Sequence, residues 1–169
     1  MDIIFEEAFF LDINWYFSDT YKRLCVVASG GGLLPFFLQN QDNKNNEFHA
    51  IVYELPERFN SERNQNILEA ITDLKEDNLD QYFQDFDSLA KKGFFVYDKI
   101  NINNTEDSKY VLVTYPIYDT ETDSYPISLE NLNLIPKTKG TIISRNNDSF
   151  SKTNFEPIDL IDYINNKQE

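Results

Sequence analysis

An α+β fold is what this sequence predicts: a mainly antiparallel sheet of about five strands with two or three packed helices, in one domain over residues 1–169. Three observations predict it. Short segments rich in aromatic and β-branched residues, such as Lys22–Ala28, Phe94–Tyr97 and Tyr110–Tyr115, have the composition of strands. One segment, Asn78–Lys92, has the apolar spacing of an amphipathic helix. The two kinds do not alternate regularly, as a doubly wound parallel sheet would require. A chain of 169 residues, 15% of them aromatic, can bury a sizeable core without disulfides or metal.

In chain order, Phe9–Phe17 and Lys22–Ala28 read as strands flanking a turn at Ser18-Asp19-Thr20. Along the second, Leu24, Val26 and Ala28 point one way, and Cys25 and Val27 the other. Both faces are apolar, so this strand belongs in the sheet interior. Gly30-Gly31-Gly32 follows at once, then Leu33-Leu34-Pro35. The residue before a proline favours extended backbone. Gln39–Asn46, Asn101–Lys109, Thr120–Ser124 and Asn146–Asn154 are rich in Asn, Asp and Ser and read as loops. Phe48, Ile51, Val52 and Leu55 carry a helical spacing, although the same segment also reads as a strand.

In Asn78–Lys92, Leu79, Tyr82, Phe83, Phe86, Leu89 and Ala90 form the apolar stripe. Asn78 and Gln81 have the spacing of a capping box, Lys91 and Lys92 suit the negative helix end, and Gly93 suits a left-handed residue beyond it. Phe94–Tyr97, Tyr110–Tyr115 and Thr141–Ser144 supply the remaining strands. Pro157 opens a short terminal helix that carries Ile158, Ile161 and Ile164.

Net charge is the strongest global feature, at −14. Nucleic acids are bound mainly through Lys and Arg on phosphates, so this chain lacks their electrostatic footprint. Anionic membrane surfaces are disfavoured for the same reason. A basic protein is attracted. Residues 67–90 hold Asp73, Glu76, Asp77, Asp80, Asp85 and Asp87, with Glu69, against Lys75 alone, a local charge of −6. Asp119, Glu121 and Asp123, with Glu130, form a second acidic patch. Both patches are candidate partner-binding surfaces. The first residues carry Asp2, Glu6, Glu7 and Asp12 rather than a basic run leading an apolar one, so a cytoplasmic location is expected.

Motifs of catalysis are not found. A phosphate loop needs Lys-Ser/Thr after its glycines, whereas Leu33 follows here and the next lysine is Lys44. No third glycine completes a dinucleotide loop, and no Gly-x-Ser-x-Gly elbow accompanies an oxyanion-type glycine run. The triple glycine therefore reads as a sharp exit from an interior strand. Cys25 and His49 are the sole residues of their types, and Cys25 sits in an apolar strand with nothing to activate a thiolate. One Cys and one His make no zinc set. Asp119-Thr-Glu-Thr-Asp123 lacks the glycine and terminal glutamate of an EF-hand loop. No catalytic, cofactor or metal residues are expected.

In size, charge and lack of catalytic motifs, the chain resembles the immunity proteins of bacterial polymorphic and contact-dependent toxin systems. More locally, Tyr21-Lys22-Arg23-Leu24 followed by Gly30-Gly31-Gly32 is similar to the Tyr-Lys…Asn-Gly-Gly segment of the SMI1/KNR4 (SUKH) superfamily, which contains many immunity proteins. That family places a helix before its glycines, whereas a strand precedes them here and Leu34-Pro35 follows. The resemblance implies a cytoplasmic inhibitor of a cognate toxin domain, commonly a basic nuclease. A scaffold domain without a toxin partner, or an enzyme using a carboxylate site, are the alternatives.

Overall fold

The computed structural model describes residues 12–118, 127–143, 145–146, 149–150 and 152–168. Its α+β core is a mixed sheet of β1 (Asn14–Ser18), β2 (Leu24–Ala28), β3 (Asn60–Arg63), β4 (Phe94–Lys99) and β5 (Lys109–Ile117), in the order β1-β2-β4-β5-β3. Strand β1 (Asn14–Ser18) pairs antiparallel with β2 (Leu24–Ala28), with Trp15 opposite Val27 and Phe17 opposite Cys25. Asp19 makes the turn between them by accepting from the amides of Tyr21 (2.8 Å) and Arg23 (2.9 Å) and from Arg23 Nε.

The β2–β4 pairing departs from a purely antiparallel sheet. β4 (Phe94–Lys99) runs parallel to β2, because a long crossover separates them. That crossover contains α1 (Phe36–Glu54), β3 (Asn60–Arg63), α2 (Ile67–Ala70) and α3 (Leu79–Lys91). A loop then returns the chain antiparallel along β5 (Lys109–Ile117), whose outer edge pairs with β3.

All five residues of β2 are buried, as its two apolar faces predict. On one face, Trp15, Phe17, Cys25, Val27, Phe95 and Leu112 pack with Leu160, Ile161 and Ile164. On the other, Tyr16, Val26, Phe94 and Val96 meet Phe48, Val52 and Ala90 of α1 and α3. A third cluster seats Ile67, Ile71 and Phe83 on Val111 and Val113.

Several elements differ from expectation. The polar run Gln39–Asn46 is not a loop but lies inside α1, which starts directly after Pro35. Its flanks are anchored by buried Leu34, Leu38, Phe48 and Val52, and this packing outweighs the poor helix propensity of Asn and Asp. Asn45 is itself buried and donates its side-chain amide to the Asn14 carbonyl (2.9 Å). The strand reading of Phe48–Leu55 falls with it.

The Asn78 capping box does not form. A 3-10 turn over Glu76–Asn78 runs straight into α3, and Asn78 makes no side-chain cap bond. Lys92 reaches away from its own helix to cap α1, donating to the carbonyls of Val52 (3.1 Å) and Tyr53 (3.0 Å). Gly93 does take the left-handed conformation, with φ 108°.

No strand spans Thr141–Ile143. The Thr141 hydroxyl accepts from the Ile143 amide (3.0 Å) and turns the backbone instead; Ser144 lies outside the described residues. The Asn146–Asn154 stretch includes a short ladder of β6 (Arg145–Asn146) with β7 (Ser149–Phe150) and a 3-10 turn over Lys152–Phe155. Ile158 does not open the terminal helix. It forms β8 (Ile158–Asp159) against the start of β5, and α5 begins after it, with α4 the single turn Leu129–Leu132 and α5 spanning Leu160–Lys167. Asp159 accepts from the Asp162 amide and caps α5. The first strand begins at Asn14 among the described residues; Phe9–Leu11 lie outside them.

Candidate functional site

The acidic segment predicted as a partner surface is displayed by α3 and the 3-10 turn before it. Phe83 and Ala90 of the apolar stripe are buried, while Leu79, Tyr82, Phe86 and Leu89 are half-buried against the sheet. This phase turns the carboxylates outward: Asp73, Glu76, Asp77, Asp80 and Asp85 are all exposed.

They are not equivalent. Glu76, Asp77 and Asp85 have no ion-pair or hydrogen-bond partner among the described residues. Asp73, in a left-handed conformation at φ 66°, accepts from Asn103 Nδ2 (2.9 Å). Asp87 turns inward instead and takes Arg63 at two points, Nε (2.9 Å) and Nη2 (2.6 Å), with Asp80 a weaker third contact at 3.3 Å. Arg63 precedes the acidic segment 67–90 in the chain, yet the fold returns it to the helix. The charge of Asp80 and Asp87 is therefore partly neutralised, and Asp87 also anchors Arg63. Asp119, Glu121 and Asp123 lie outside the described residues.

A β-bulge shapes the neighbourhood of Arg63. Val96 pairs with Thr114 but Tyr97 pairs with Leu112, so Val113 is an extra residue on β5. The bulge shifts the alternation of the strand. Val111 and Val113 pack toward α3, whereas Tyr115, two residues on, joins Leu112 on the opposite face. Buried Asn64 accommodates the displaced carbonyls, donating from its amide to Val113 (2.8 Å) and from Nδ2 to Leu112 (2.9 Å). Tyr115 is thereby aimed at Glu62 of β3, to which its hydroxyl donates at 2.6 Å. Burial, reinforced by the Glu62 carboxylate, raises the Tyr115 phenol well above its usual range and keeps it a donor. A cleft of about 520 Å³ opens here at the sheet edge, lined by Glu62, Arg63, Gln65, Asp87, Tyr115 and Phe155. Sequence reading missed this cleft, because Glu62 and Tyr115 are 53 residues apart and neither belongs to a motif.

The other candidates resolve into structural roles. Gly30, Gly31 and Gly32 all adopt positive φ (60°, 76° and 94°), forming the sharp strand exit expected of them. Two amides of the loop are occupied internally: Gly30 donates to Asp12 Oδ1 (3.0 Å) and Gly31 to Ser29 Oγ (3.4 Å). The Gly31 carbonyl accepts from Nζ of Lys99 at 3.0 Å, and Lys99 is wholly buried. Desolvation lowers the pKa of that ammonium, and Asp107 partly offsets the effect. Beside it, Asp98 accepts from the Tyr82 hydroxyl (2.7 Å) and the Lys99 amide (2.8 Å). Its carboxyl is pushed up to about 6 by burial, against the effect of those two donors.

Cys25 is buried, and burial pushes its thiol well above the ordinary range, so it is not an activated nucleophile. It lies on the sheet face that packs with α5. His49 lies on the other side, where its Nδ1 is hydrogen-bonded to the Tyr16 hydroxyl. The two cannot form a dyad. Among the described residues, no group of three His, Cys, Asp or Glu side chains is placed to hold a metal, and no helix is long and apolar enough to cross a membrane. Compared with protein-family models, curated proteins and solved structures, the chain matches none.

Proposed function

We propose that this chain is a protein inhibitor of the immunity-protein type, which binds a basic toxin domain through the acidic face of α3 and its preceding turn. The observation that carries this reading is that the carboxylates Glu76, Asp77 and Asp85 are all exposed, with no basic partner among the described residues. Holding like charges together at a surface works against the stability of the folded chain. A complementary cationic partner offsets that repulsion on binding. The helix that carries Asp85 and follows Glu76 and Asp77 is anchored to the sheet, since Phe83 and Ala90 are buried and Tyr82 donates to Asp98. A preorganised acidic face of this kind competes with a phosphate backbone for a nuclease's basic cleft. The reading assigns the chain a place in the cytoplasm, no catalytic role, no cofactor and no nucleic-acid partner of its own.

The test is calorimetric titration of the purified chain against the toxin domain encoded beside its gene, with the toxin's activity measured in parallel. The expected result is a one-to-one complex in which activity is lost in proportion to the chain added. A toxin that neither binds nor loses activity would reject the assignment.

A further inference from the structure

Three tyrosine hydroxyls of the fold find acceptors close by: Tyr82 donates to Asp98 (2.7 Å), Tyr115 to Glu62 (2.6 Å) and Tyr118 to the Gly93 carbonyl (2.6 Å). Tyr97 of β4 differs. It is 2% exposed, on the sheet face that packs with α5, and its hydroxyl has no hydrogen-bond partner among the described residues. Nor is that hydroxyl sealed from solvent. Among the described residues, the side-chain polar atoms both sealed and unpartnered are Trp15 Nε1 and Asn45 Oδ1. The small surface that Tyr97 keeps therefore includes its hydroxyl. A cleft of about 210 Å³ lies there, between β4, the Thr141–Ile143 turn and the run from Asn154 into β8. Ile142, Pro157 and Ile158 give it apolar walls, Asn154 is buried beside them, and exposed Glu156 adds a carboxylate.

We propose that this cleft binds an uncharged, single-ring molecule whose oxygen acceptor meets the Tyr97 hydroxyl. The cleft is independent of the docking face, since α3 packs on the other side of the sheet. A largely buried hydroxyl without a partner forgoes the bonds that water would give it, and an acceptor carried in by a ligand restores one. Burial also pushes the Tyr97 phenol well above its ordinary range, so it stays a donor. Size sets the class of ligand. An apolar cavity of roughly 150 Å³ takes benzene, so about 210 Å³ suits one ring with a short substituent. Charge narrows it further. An anion would face the Glu156 carboxylate in a chain of net charge −14, and a simple ammonium ion has no lone pair to accept from Tyr97. A carbonyl carried on a ring suits both the hydroxyl and the apolar walls.

The test is an NMR titration of the full chain with acetophenone. Two comparison probes accompany it: 2-phenylpropene, which has the same shape and no acceptor, and benzoate, which puts an anion on the same ring. Acetophenone should shift the methyl resonances of Ile142 and Ile158, and benzoate should bind about tenfold more weakly or worse. Tyr97→Phe removes the hydroxyl and keeps the ring. It should lower the affinity for acetophenone, relative to that for 2-phenylpropene, by about threefold or more. Glu156→Gln, at an exposed position, should strengthen benzoate by about threefold and leave acetophenone within about twofold. The benzoate and Glu156→Gln arms need no change in the core, so they decide the matter even if Tyr97→Phe does not fold. Absence of shifts at Ile142 and Ile158, benzoate bound as tightly as acetophenone, benzoate indifferent to Glu156→Gln, or a probe preference untouched by Tyr97→Phe would each overturn the proposal.

Discussion

Replacing Gly32 by alanine should unlock the loop that ends β2. Gly32 has φ 94°, and a Cβ built on it would lie 2.3 Å from the Thr105 carbonyl oxygen and 2.8 Å from Lys99 Nζ. Both contacts are far inside van der Waals range, and one of them is backbone. A positive φ costs a non-glycine residue roughly 1–2 kcal/mol. Moving Thr105 also breaks its bond from the Leu33 amide (3.2 Å), and displacing Lys99 threatens its bond to the Gly31 carbonyl (3.0 Å). A buried polar group left unpaired costs about 1–3 kcal/mol, more if charged. The total expected is about 3–5 kcal/mol. Gly140→Ala is the control, because among the described residues its Cβ would meet only Tyr163 Oη at an ordinary 3.9 Å, and its φ is not in the left-handed region. That change should stay within about 1 kcal/mol of the parent. Denaturant unfolding at equilibrium measures both. A Gly32→Ala protein as stable as Gly140→Ala would refute the locked-loop account.

Phe83→Ala should cost about 3–5 kcal/mol in the same assay, and Phe86→Ala about half of that, because Phe83 is buried and Phe86 only partly so; equal losses would show that the helix phase is wrong. Asp98 should titrate near pH 6 by carboxyl NMR. Its folded pKa lies above the unfolded value, so its contribution to stability should grow by about 1–3 kcal/mol as pH falls through 6 toward 4, and a midpoint near 4 would contradict its burial. Asp87→Lys should lower stability by about 1–2 kcal/mol by turning the Arg63 pair into a repulsion, whereas Asp85→Lys should leave it within about 0.5 kcal/mol; comparable losses would show that Asp87 is not a structural anchor.

Where burial is two-sided or periodic, local sequence reveals the element. Leu24–Ala28 is apolar on both faces, and it lies inside the sheet. The stripe through Phe83 and Ala90 announces α3, and three glycines after a strand announce a left-handed exit. Elements held by distant partners carry no such signal. Asn60–Arg63 is wholly polar because β3 is an edge strand, ordered by its ladder to β5 rather than by propensity. The polar half of α1 is helical because its apolar flanks are anchored in the core, so Asn-rich composition misleads there. The carboxylates of α3 were visible in the sequence, but their inequality was not. Arg63 precedes Asp87 by 24 residues, and only the folded chain shows that it spends that charge. The Glu62–Tyr115 contact depends further on a bulge at Val113, which no residue pattern in Tyr110–Tyr115 signals.

The most direct test of electrostatic docking is stopped-flow association with the toxin encoded beside the gene, at ionic strengths from about 0.1 M to 1 M. Over that range the Debye length falls from about 10 Å to about 3 Å. Glu76→Lys, Asp77→Lys and Asp85→Lys together form the variant of choice, because these carboxylates are exposed and unpaired among the described residues. Long-range attraction predicts that added salt slows association by about tenfold or more, and that the triple variant associates slowly at low salt and loses most of its salt dependence. An association rate indifferent to both salt and the triple reversal would contradict the acidic face of α3 as the docking surface.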